Sequence, residues 1–227
     1  EVLTYDGTLC DARLSKSCGG VLEQCENCWE PKHYHYLVAR LDNANAMDYP
    51  DLTVEENARE WILSSPAAFS NTTDKHILSQ VLNSYDQETT DFYRWTVEYD
   101  QAELSRLVRE RSGEDYGDIV DLIPVARGTS GRLYRLKIVG PKKTCISGKE
   151  LEIRRTLSPS HLYSSAFVVE KQGERDGLPE RFVLKGAGWG HGVGLCQIGA
   201  AVMGEKGYDY KQILLHYFID AEITKQY

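Results

Sequence analysis

GAGWGHGVGLCQIGA, residues 186–200, is the segment of this sequence that most restricts the choice of fold. It follows a strand-like segment at residues 181–185 and leads into a helical one at residues 200–203. Glycines at this density permit positive φ angles and a close approach of the backbone to a ligand. The segment therefore predicts a loop between a strand and a helix, with His191 on a surface of small residues.

The chemistry of this loop favours a sugar over a phosphate. Residues 186–200 contain no Gly-Lys-Ser/Thr ending and no lysine or arginine, as a phosphate-binding loop would require. Trp189 offers an apolar ring face to a pyranose, while His191 and Gln197 offer hydrogen-bonding groups. Three alternatives stay open: His191 as a buried histidine bonded to backbone carbonyls, Trp189 as a core residue, and Gln197 as a helix cap.

The pattern in the rest of the chain predicts an α+β fold with a mixed β core, several peripheral helices and a glycine-rich groove loop. Strands are predicted at residues 2–7, 36–41, 91–99, 119–127, 133–139, 166–171 and 181–185. Helices are predicted at residues 53–63 with Thr53 as the cap, 74–85, 100–113, 148–157, 200–203 and from 209 or 210 onward. We expect one domain over residues 1–227, with a smaller helical and β lobe at about residues 51–140.

The charge balance excludes one large class of partners. The formal net charge is -8 and the pI is near 5.3, whereas a protein that binds nucleic acid needs a basic face, so no nucleic acid partner is expected. No run approaches the roughly 20 apolar residues of a membrane-spanning helix, so no transmembrane segment is predicted. The sequence begins at Glu1 without methionine, from which we expect that an amino-terminal region and any signal peptide are missing.

Six cysteines are present, and four of them lie between residues 10 and 28. Cys25 and Cys28 have the Cys-x-x-Cys spacing of a metal site, and further ligand types are available nearby in Cys18, His33 and His35. A second Cys-x-x-Cys pair is absent, so no metal site is predicted and Cys25 and Cys28 are only weak candidates for one. A disulfide within residues 10–28 is preferred to a metal, and free buried thiols are the default alternative. No cofactor is predicted.

Residues 186–200 resemble the glycine-tryptophan-glycine-histidine-glycine signature, followed by glutamine and glycine-alanine, of the stage II sporulation protein D and amidase-enhancer family. Further similar segments follow the family's order along nearly the whole chain, at residues 2–7, 17–20, 23, 29, 36–37, 131–132, 150–154, 162–167 and 210–217. Members of that family are extracytoplasmic, and they either cleave peptidoglycan glycan strands as lytic transglycosylases or stimulate a cell-wall amidase. The resemblance implies an envelope location, with glycan strands and a cell-wall amidase as partners.

The resemblance also implies where the chemistry lies. The family's catalytic glutamate and its zinc-binding cysteines and histidines fall upstream of Glu1, so we expect this chain alone to be inactive. Glu23 is the best remaining candidate for a catalytic carboxylate, and a surface glutamate is the alternative. Substrate-binding residues are expected on two loops, at residues 17–29 and 188–200, namely Ser17, Gly19, Gly20, Glu23, Trp189, His191, Gly192 and Gln197.

Three functions follow as hypotheses. The first is glycan-strand binding and remodelling as part of a lytic transglycosylase. The second is a noncatalytic amidase enhancer that binds cell-wall glycan. The third is an unrelated cysteine or zinc hydrolase, suggested by His191 and Cys196, although no third residue is evident to orient that pair.

Overall fold

The computed structural model describes residues 1–45, 48–84 and 89–225. Helices and strands are interspersed in runs along this part of the chain and the strands form several small sheets, so the predicted α+β class is confirmed. The chain divides into two compact units. The first unit contains Glu1–Tyr49, Pro66–Tyr93 and Gly188–Tyr227, and the second unit contains Pro50–Ser65 and Arg94–Ala187.

The strands are β1 (Val2–Tyr5), β2 (Thr8–Leu9), β3 (Leu14–Ser15), β4 (Arg94–Asp100), β5 (Asp121–Arg127), β6 (Leu133–Val139), β7 (Thr144–Ser147), β8 (Phe167–Gln172), β9 (Arg181–Ala187), β10 (Leu195–Cys196) and β11 (Glu222–Thr224). The helices are α1 (Cys25–Cys28), α2 (Glu55–Leu63), α3 (Lys75–Val81), α4 (Gln101–Ser112), α5 (Glu150–Thr156), α6 (Gln197–Glu205) and α7 (Tyr210–Tyr217).

The first unit combines two small sheets with helices α1, α3, α6 and α7. One sheet has the order β11-β1-β2 and is antiparallel, with Leu3 opposite Ile223 and Thr4 opposite Leu9. In the other sheet, β10 pairs in parallel with β3, so that Cys196 lies opposite Ser15. This parallel pair brings the end of the glycine-rich loop beside the strand that leads to residues 17–20.

The core of the first unit is built from loops as much as from helices. Its fully or nearly fully buried side chains include Leu22, Leu37, Val193, Cys196, Tyr217 and Phe218. Helix α7 begins with a capping box, in which the Asp209 side chain accepts from the Gln212 amide and the Gln212 side chain accepts from the Asp209 amide. The predicted start of this helix is therefore confirmed.

The second unit contains two antiparallel three-stranded sheets, with orders β4-β9-β8 and β5-β6-β7. Helix α4 ends at Gly113, whose φ of 73° is the left-handed conformation that commonly terminates a helix. Its apolar face packs into the same buried cluster as the two sheets and α5. That cluster includes Trp95, Tyr99, Leu104, Leu107, Leu136, Ile153, Phe167 and Phe182.

A buried arginine connects three parts of the second unit. The guanidinium of Arg127 donates to both carboxylate oxygens of Glu55 on α2, at 2.6 and 2.9 Å. It also donates to the carbonyl oxygens of Gly131 at 2.7 Å and of Phe167 at 2.9 Å. Since its side chain is 1% exposed, these bonds replace the water that the charge would otherwise need.

Several element predictions are corrected by the structure. The strand predicted at residues 36–41 is wrong, because this segment makes only an isolated bridge, between Leu41 and Val21, and otherwise follows an irregular path. Thr53 does not cap α2, because its hydroxyl donates to Asp51 at 2.6 Å and Val54 occupies the cap position. Strands β7, β10 and β11 and helix α1 were not expected. Helix α3 ends at Val81, and residue 85 of the predicted helix lies outside the described residues.

In the described part of the chain, no helix combines the length and the apolar composition that crossing a lipid bilayer requires.

Candidate functional site

The glycine-rich loop has the backbone conformation that its composition predicts. Gly188, Gly190, Gly192 and Gly194 have φ angles of 76°, 99°, 78° and 71°. A Cβ at Gly194 would collide with the carbonyl of Arg13, which approaches the loop closely. Larger residues would therefore be excluded both by the backbone angles and by the neighbouring chain.

Backbone hydrogen bonds join this loop to the segment at residues 17–23. The amide of Ser17 donates to the carbonyl of Trp189 at 3.0 Å, and the amide of Trp189 donates back at 2.8 Å. The amide of Glu23 donates to the carbonyl of Gly192 at 2.9 Å. The two segments expected to bound a groove thus lie side by side and are held by the main chain.

Three half-buried side chains form a stacked surface at the turn of this loop, which we call the Trp29 platform: Arg13, Trp29 and His191. The rings of Trp29 and His191 meet edge to face, with centroids 4.3 Å apart. The guanidinium carbon of Arg13 lies 4.1 Å from the centroid of a Trp29 ring. The amide of Val193 donates to Nδ1 of His191 at 3.1 Å, which assigns the ring proton of a neutral imidazole to Nε2.

Trp189 and Gln197 both keep part of their surface accessible in the structure. Trp189 is half-buried, with one ring face against Phe92 at a centroid separation of 4.6 Å and the ammonium of Lys16 5.2 Å from a ring centroid. It therefore contributes to the packing of the first unit and keeps part of its surface accessible. Gln197 is the first residue of α6 and is also half-buried.

Other predicted binding residues lie inside the protein. Ser17 and Glu23 are fully buried, and Gly19, Gly20 and Gly192 are buried as well. Gly19 and Gly20 have φ angles of 77° and 105°, so they supply the turn that returns the chain toward residue 23. Because Gly19 and Gly20 are buried, they can affect substrate binding only through the shape of the backbone. Their role in binding substrate stays a prediction.

Glu23 is engaged in the local structure around α1. Its Oε1 accepts hydrogen bonds from the amide of Gln24 at 2.9 Å and from the side-chain amide of Asn27 at 2.7 Å. The interpretation of Glu23 as a surface glutamate is wrong, since its side chain is 0% exposed. A buried carboxylate bonded in this way is poorly placed to protonate the leaving oxygen of a polymeric sugar.

Cys25 and Cys28 lie on α1 and are buried. The thiol of Cys28 donates to the carbonyl of His191 at 3.5 Å, which ties α1 to the glycine-rich loop. His33 is exposed and its Nδ1 lies 2.9 Å from Glu26. Among the residues that the structure describes, neither His33 nor His35 joins Cys25 and Cys28 in a cluster of ligand atoms. A metal on that pair stays an untested alternative to the predicted absence of a metal site.

All six cysteines are thiols in the structure, and two of them belong to a different cluster. Cys18, Cys196 and Asp42 are fully or almost fully buried, and their ligand atoms lie within 4.8 Å of one another. The Asp42 carboxylate also accepts from the amide of Ser70 at 2.9 Å and from the hydroxyl of Tyr217 at 2.8 Å. We call Cys18, Asp42 and Cys196 the buried triad.

Burial and hydrogen bonding shift the pKa of Asp42 in opposite directions. Burial would raise the pKa of Asp42, but the neighbouring groups of His216, Ser70 and Tyr217 outweigh it and lower that pKa below its ordinary value. Burial raises the pKa of the Cys18 thiol well above its ordinary value, with Cys196 and Asp42 adding to the effect. The structure thus holds a carboxylate beside a protonated thiol.

The hypothesis of a cysteine nucleophile at Cys196 loses its geometric basis. The thiol of Cys196 lies 3.8 Å from the carbonyl of Lys16 and accepts from the amide of Cys18 at 3.3 Å. Nδ1 of His191 is occupied by the amide of Val193. A nucleophile and its base must be within hydrogen-bonding reach, whereas these two side chains have different partners.

Two residues of the site region were missed by the sequence interpretation. Arg13 precedes the segment in which binding residues were expected, and its contact with Trp29 depends on the parallel pairing of β3 and β10. Asp42 lies in a segment predicted to end a strand, so its carboxylate gave no signal of burial. A lone aspartate with an apolar segment before it is most often exposed, and only the fold shows otherwise.

Comparisons with known proteins give one family and two relatives. The family described as "Domain of unknown function (DUF8618)" matches residues 23–194. The chain is 25% identical over 232 aligned residues to the "Amidase enhancer" of Bacillus subtilis (strain 168), which covers 99% of this chain and 31% of that protein. It is 38% identical over 73 residues to an uncharacterized protein of Brachyspira hyodysenteriae (strain ATCC 49526 / WA1), which covers 32% of this chain and 18% of that protein.

The first of these similarities extends from one end of the chain to the other. The chain spans about a third of the amidase enhancer, so it corresponds to one part of that longer protein. The resemblance to amidase enhancers is supported along this length, whereas neither relative is named as a sporulation protein.

Proposed function

This chain belongs to the DUF8618 family, and from its similarity to an amidase enhancer we propose that it binds cell-wall glycan outside the cytoplasm and assists a cell-wall amidase without cutting the glycan itself. Of the hypotheses drawn from the sequence, the noncatalytic enhancer is thus preferred to the lytic transglycosylase.

The observation that carries this proposal is the Trp29 platform beside the glycine-rich loop. Arg13, Trp29 and His191 present an indole, a guanidinium and an imidazole on one half-exposed surface. An aromatic ring can pack against the apolar face of a pyranose, and the two nitrogen-bearing groups can donate to its hydroxyls. Because the loop is fixed by backbone bonds, the platform is arranged before the sugar arrives.

The noncatalytic assignment is supported by the environment of the candidate acid. Cleavage of a glycosidic bond requires proton donation to the leaving oxygen, and a positioned acid contributes roughly 10²–10⁴-fold. Glu23 is fully buried and its Oε1 already accepts two hydrogen bonds. For this chain to cleave glycan by itself, it would need a carboxylic acid aimed at the bound glycan, and Glu23 does not meet that requirement.

Binding to purified glycan strands tests the proposal. Strands stripped of their peptides are mixed with increasing chain, and the bound fraction is measured after sedimentation. We expect saturable binding, weakened by about tenfold in His191→Ala, which is the effect of losing roughly one good hydrogen bond. His161→Ala is the matched control, because His161 is an exposed histidine of the second unit and should leave binding unchanged.

Two further assays separate the enhancer from the enzyme. Addition of the chain should raise the rate at which a cell-wall amidase releases peptides from intact wall, and His191→Ala should reduce that gain. The chain alone should release no anhydro-sugar products from glycan strands. Anhydro-sugar release by the wild-type chain would contradict the noncatalytic assignment, and loss of all glycan binding would contradict the proposal as a whole.

A further inference from the structure

The buried triad has a composition that neither glycan binding nor amidase stimulation uses. Two thiols and one carboxylate converge in the interior of the first unit, at relative exposures of 2%, 0% and 0% for Cys18, Asp42 and Cys196. Thiolate and carboxylate groups are common ligands of Zn²⁺. We propose that Cys18, Asp42 and Cys196 bind a structural zinc ion.

The distances within the triad fit a small tetrahedral ion. Sγ of Cys18 lies 3.3 Å from Oδ2 of Asp42, and all three ligand atoms fall within 4.8 Å of one another. Ligand atoms about 2.0–2.3 Å from a common zinc ion lie roughly 3–4 Å apart in a tetrahedral site. Coordination therefore requires only small side-chain adjustments.

The main chain holds Asp42 and Cys196 in place. The amide of Asp42 donates to the carbonyl of Gly20 at 2.9 Å, and the amide of Phe69 donates to the carbonyl of Asp42 at 2.7 Å. Cys196 belongs to β10, which pairs with β3, and it immediately precedes α6. A site assembled by the fold loses little conformational freedom when the ion binds.

The groups around the ligands form the outer shell that metal sites require. Ser70 and Tyr217 donate to the Asp42 carboxylate, and the amide of Cys18 donates to Sγ of Cys196 at 3.3 Å. Such bonds orient ligands and stabilise their negative charge. The cluster also lies at the amino-terminal end of α6, where the helix dipole favours negative groups.

A buried histidine faces the triad and contacts Asp42 without a close hydrogen bond. Nε2 of His216 is buried and has no hydrogen-bond partner within the described residues, although it lies 3.7 Å from Oδ1 of Asp42. An unsatisfied buried nitrogen is costly, so it calls for an explanation. His216 also lines a surface cavity of about 290 Å³ together with Phe69 and Met203.

Binding would convert both cysteines into thiolates. Two S–H bonds break, two zinc–sulfur bonds form, and the two protons pass to solvent, while the zinc ion keeps its oxidation state. The resulting ion links the turn at residues 18–20, the loop containing Asp42 and the start of α6. It would therefore fix the scaffold behind the glycine-rich loop and would not contact the glycan.

Metal titration of the reduced full chain tests this site. After removal of metal with a chelator, Co²⁺ is added and the near-ultraviolet thiolate-to-cobalt absorption is followed. We expect one equivalent to bind, and Zn²⁺ to displace the cobalt. Cys196→Ser and Asp42→Asn should lower the affinity by at least tenfold, whereas Cys145→Ser, in the second unit, should match the wild type.

X-ray absorption of the zinc-loaded wild-type chain covers the case in which the variants fail to fold. We expect two sulfur ligands at about 2.3 Å and nitrogen or oxygen ligands at about 2.0–2.2 Å. The double variant Cys25→Ser/Cys28→Ser separates this site from the alternative on α1, and it should retain the cobalt absorption. Glycan binding by the wild type tests the proposed function separately.

Four outcomes would overturn the zinc site. They are failure of the reduced chain to bind stoichiometric metal, a zinc shell without sulfur, loss of cobalt absorption in Cys25→Ser/Cys28→Ser with retention in Cys196→Ser, and a Cys18–Cys196 disulfide in the protein isolated without reductant.

Discussion

The indole of Trp29 and the imidazole of His191 meet edge to face, with centroids 4.3 Å apart and an interplanar angle of 66°. Contacting aromatic rings contribute about 0.5–1.5 kcal/mol beyond the area they bury. We therefore expect Trp29→Ala and His191→Ala to be non-additive by about that amount in the free energy of unfolding. Urea unfolding of both single variants and the double variant measures this coupling energy.

The control for that measurement is a second double-mutant cycle, which combines Trp29→Ala with His161→Ala. His161 lies in the other unit, so its effect should add to that of Trp29 within about 0.5 kcal/mol. Equal coupling in both pairs would show that the Trp29–His191 contact contributes nothing specific.

A glycine in α6 makes room for the Asp42 carboxylate. A Cβ at Gly199 would collide with the hydroxyl of Tyr217 and would lie 2.9 Å from Oδ2 of Asp42. We expect Gly199→Ala to destabilise the protein by about 1–3 kcal/mol, the usual cost of forcing extra atoms into a packed interior. The midpoint of thermal unfolding, with calorimetric enthalpies, gives this difference.

The control for that substitution lies in the same helix. A Cβ at Gly204 would meet nothing within 4 Å, so Gly204→Ala should be neutral or should stabilise by about 0.4–1 kcal/mol. If both alanines stabilise the protein, the close approach of Asp42 and Tyr217 to α6 is incorrect.

Substitution of Arg127 should lower the free energy of unfolding more than substitution of most other charged residues in the second unit. Its removal leaves the carbonyls of Gly131 and Phe167 without a buried donor and releases Glu55. We expect Arg127→Ala to cost about 3 kcal/mol, measured by urea unfolding. Arg106→Ala, which removes an exposed i,i+4 pair with Glu110, should cost no more than about 0.5 kcal/mol. Similar costs for the two variants would contradict this assignment.

The raised pKa of Tyr99 predicts that the protein loses stability in strong base. Burial, with smaller contributions from Glu103 and Tyr163, raises the pKa of Tyr99 from about 10 to about 12. Its hydroxyl donates to the carbonyl of Leu157 at 2.7 Å. The folded state therefore favours the protonated phenol, so this stabilisation is complete below pH 10 and is lost as the pH rises from about 10 through about 12.

Difference titration against Tyr99→Phe isolates this group. The tyrosinate absorbance that the wild type gains and the variant lacks should appear near pH 12, and the stability difference between the two proteins should shrink over the same range. A difference that appears near pH 10 would show that Tyr99 is accessible to water.

Local patterns predicted the second unit well because its elements are regular. The hairpin of β5 and β6 follows from two apolar segments around Gly128 and Gly131, and the end of α4 follows from Gly113. The first unit was harder to predict. Its short strands β3, β10 and β11 are two or three residues long and depend on partners distant in the sequence. Such pairing leaves almost no periodic signal.

In the candidate site, too, the features set by local sequence could be predicted and those set by distant segments could not. The glycines predicted the loop, because their positive φ angles are a local property. The partners of His191 could not be predicted, since Trp29 and Arg13 reach it through the pairing of distant segments. Burial of Glu23 and Asp42 is likewise a tertiary property, and a sequence-based preference for exposed carboxylates fails at both positions.

The pairing of β4 with β9 also indicates where relatives of this chain can gain or lose residues. Arg94 and Ala187, at the two ends of the longer segment of the second unit, lie opposite each other in the ladder. The amide of Gly188 then donates to the carbonyl of Tyr93 at 3.0 Å within the first unit. The loop-closure entropy of a segment that leaves and returns at neighbouring points grows only slowly with the length of that segment. Insertion or deletion between Arg94 and Ala187 is therefore a route by which relatives can diverge in size while the glycine-rich loop keeps its frame.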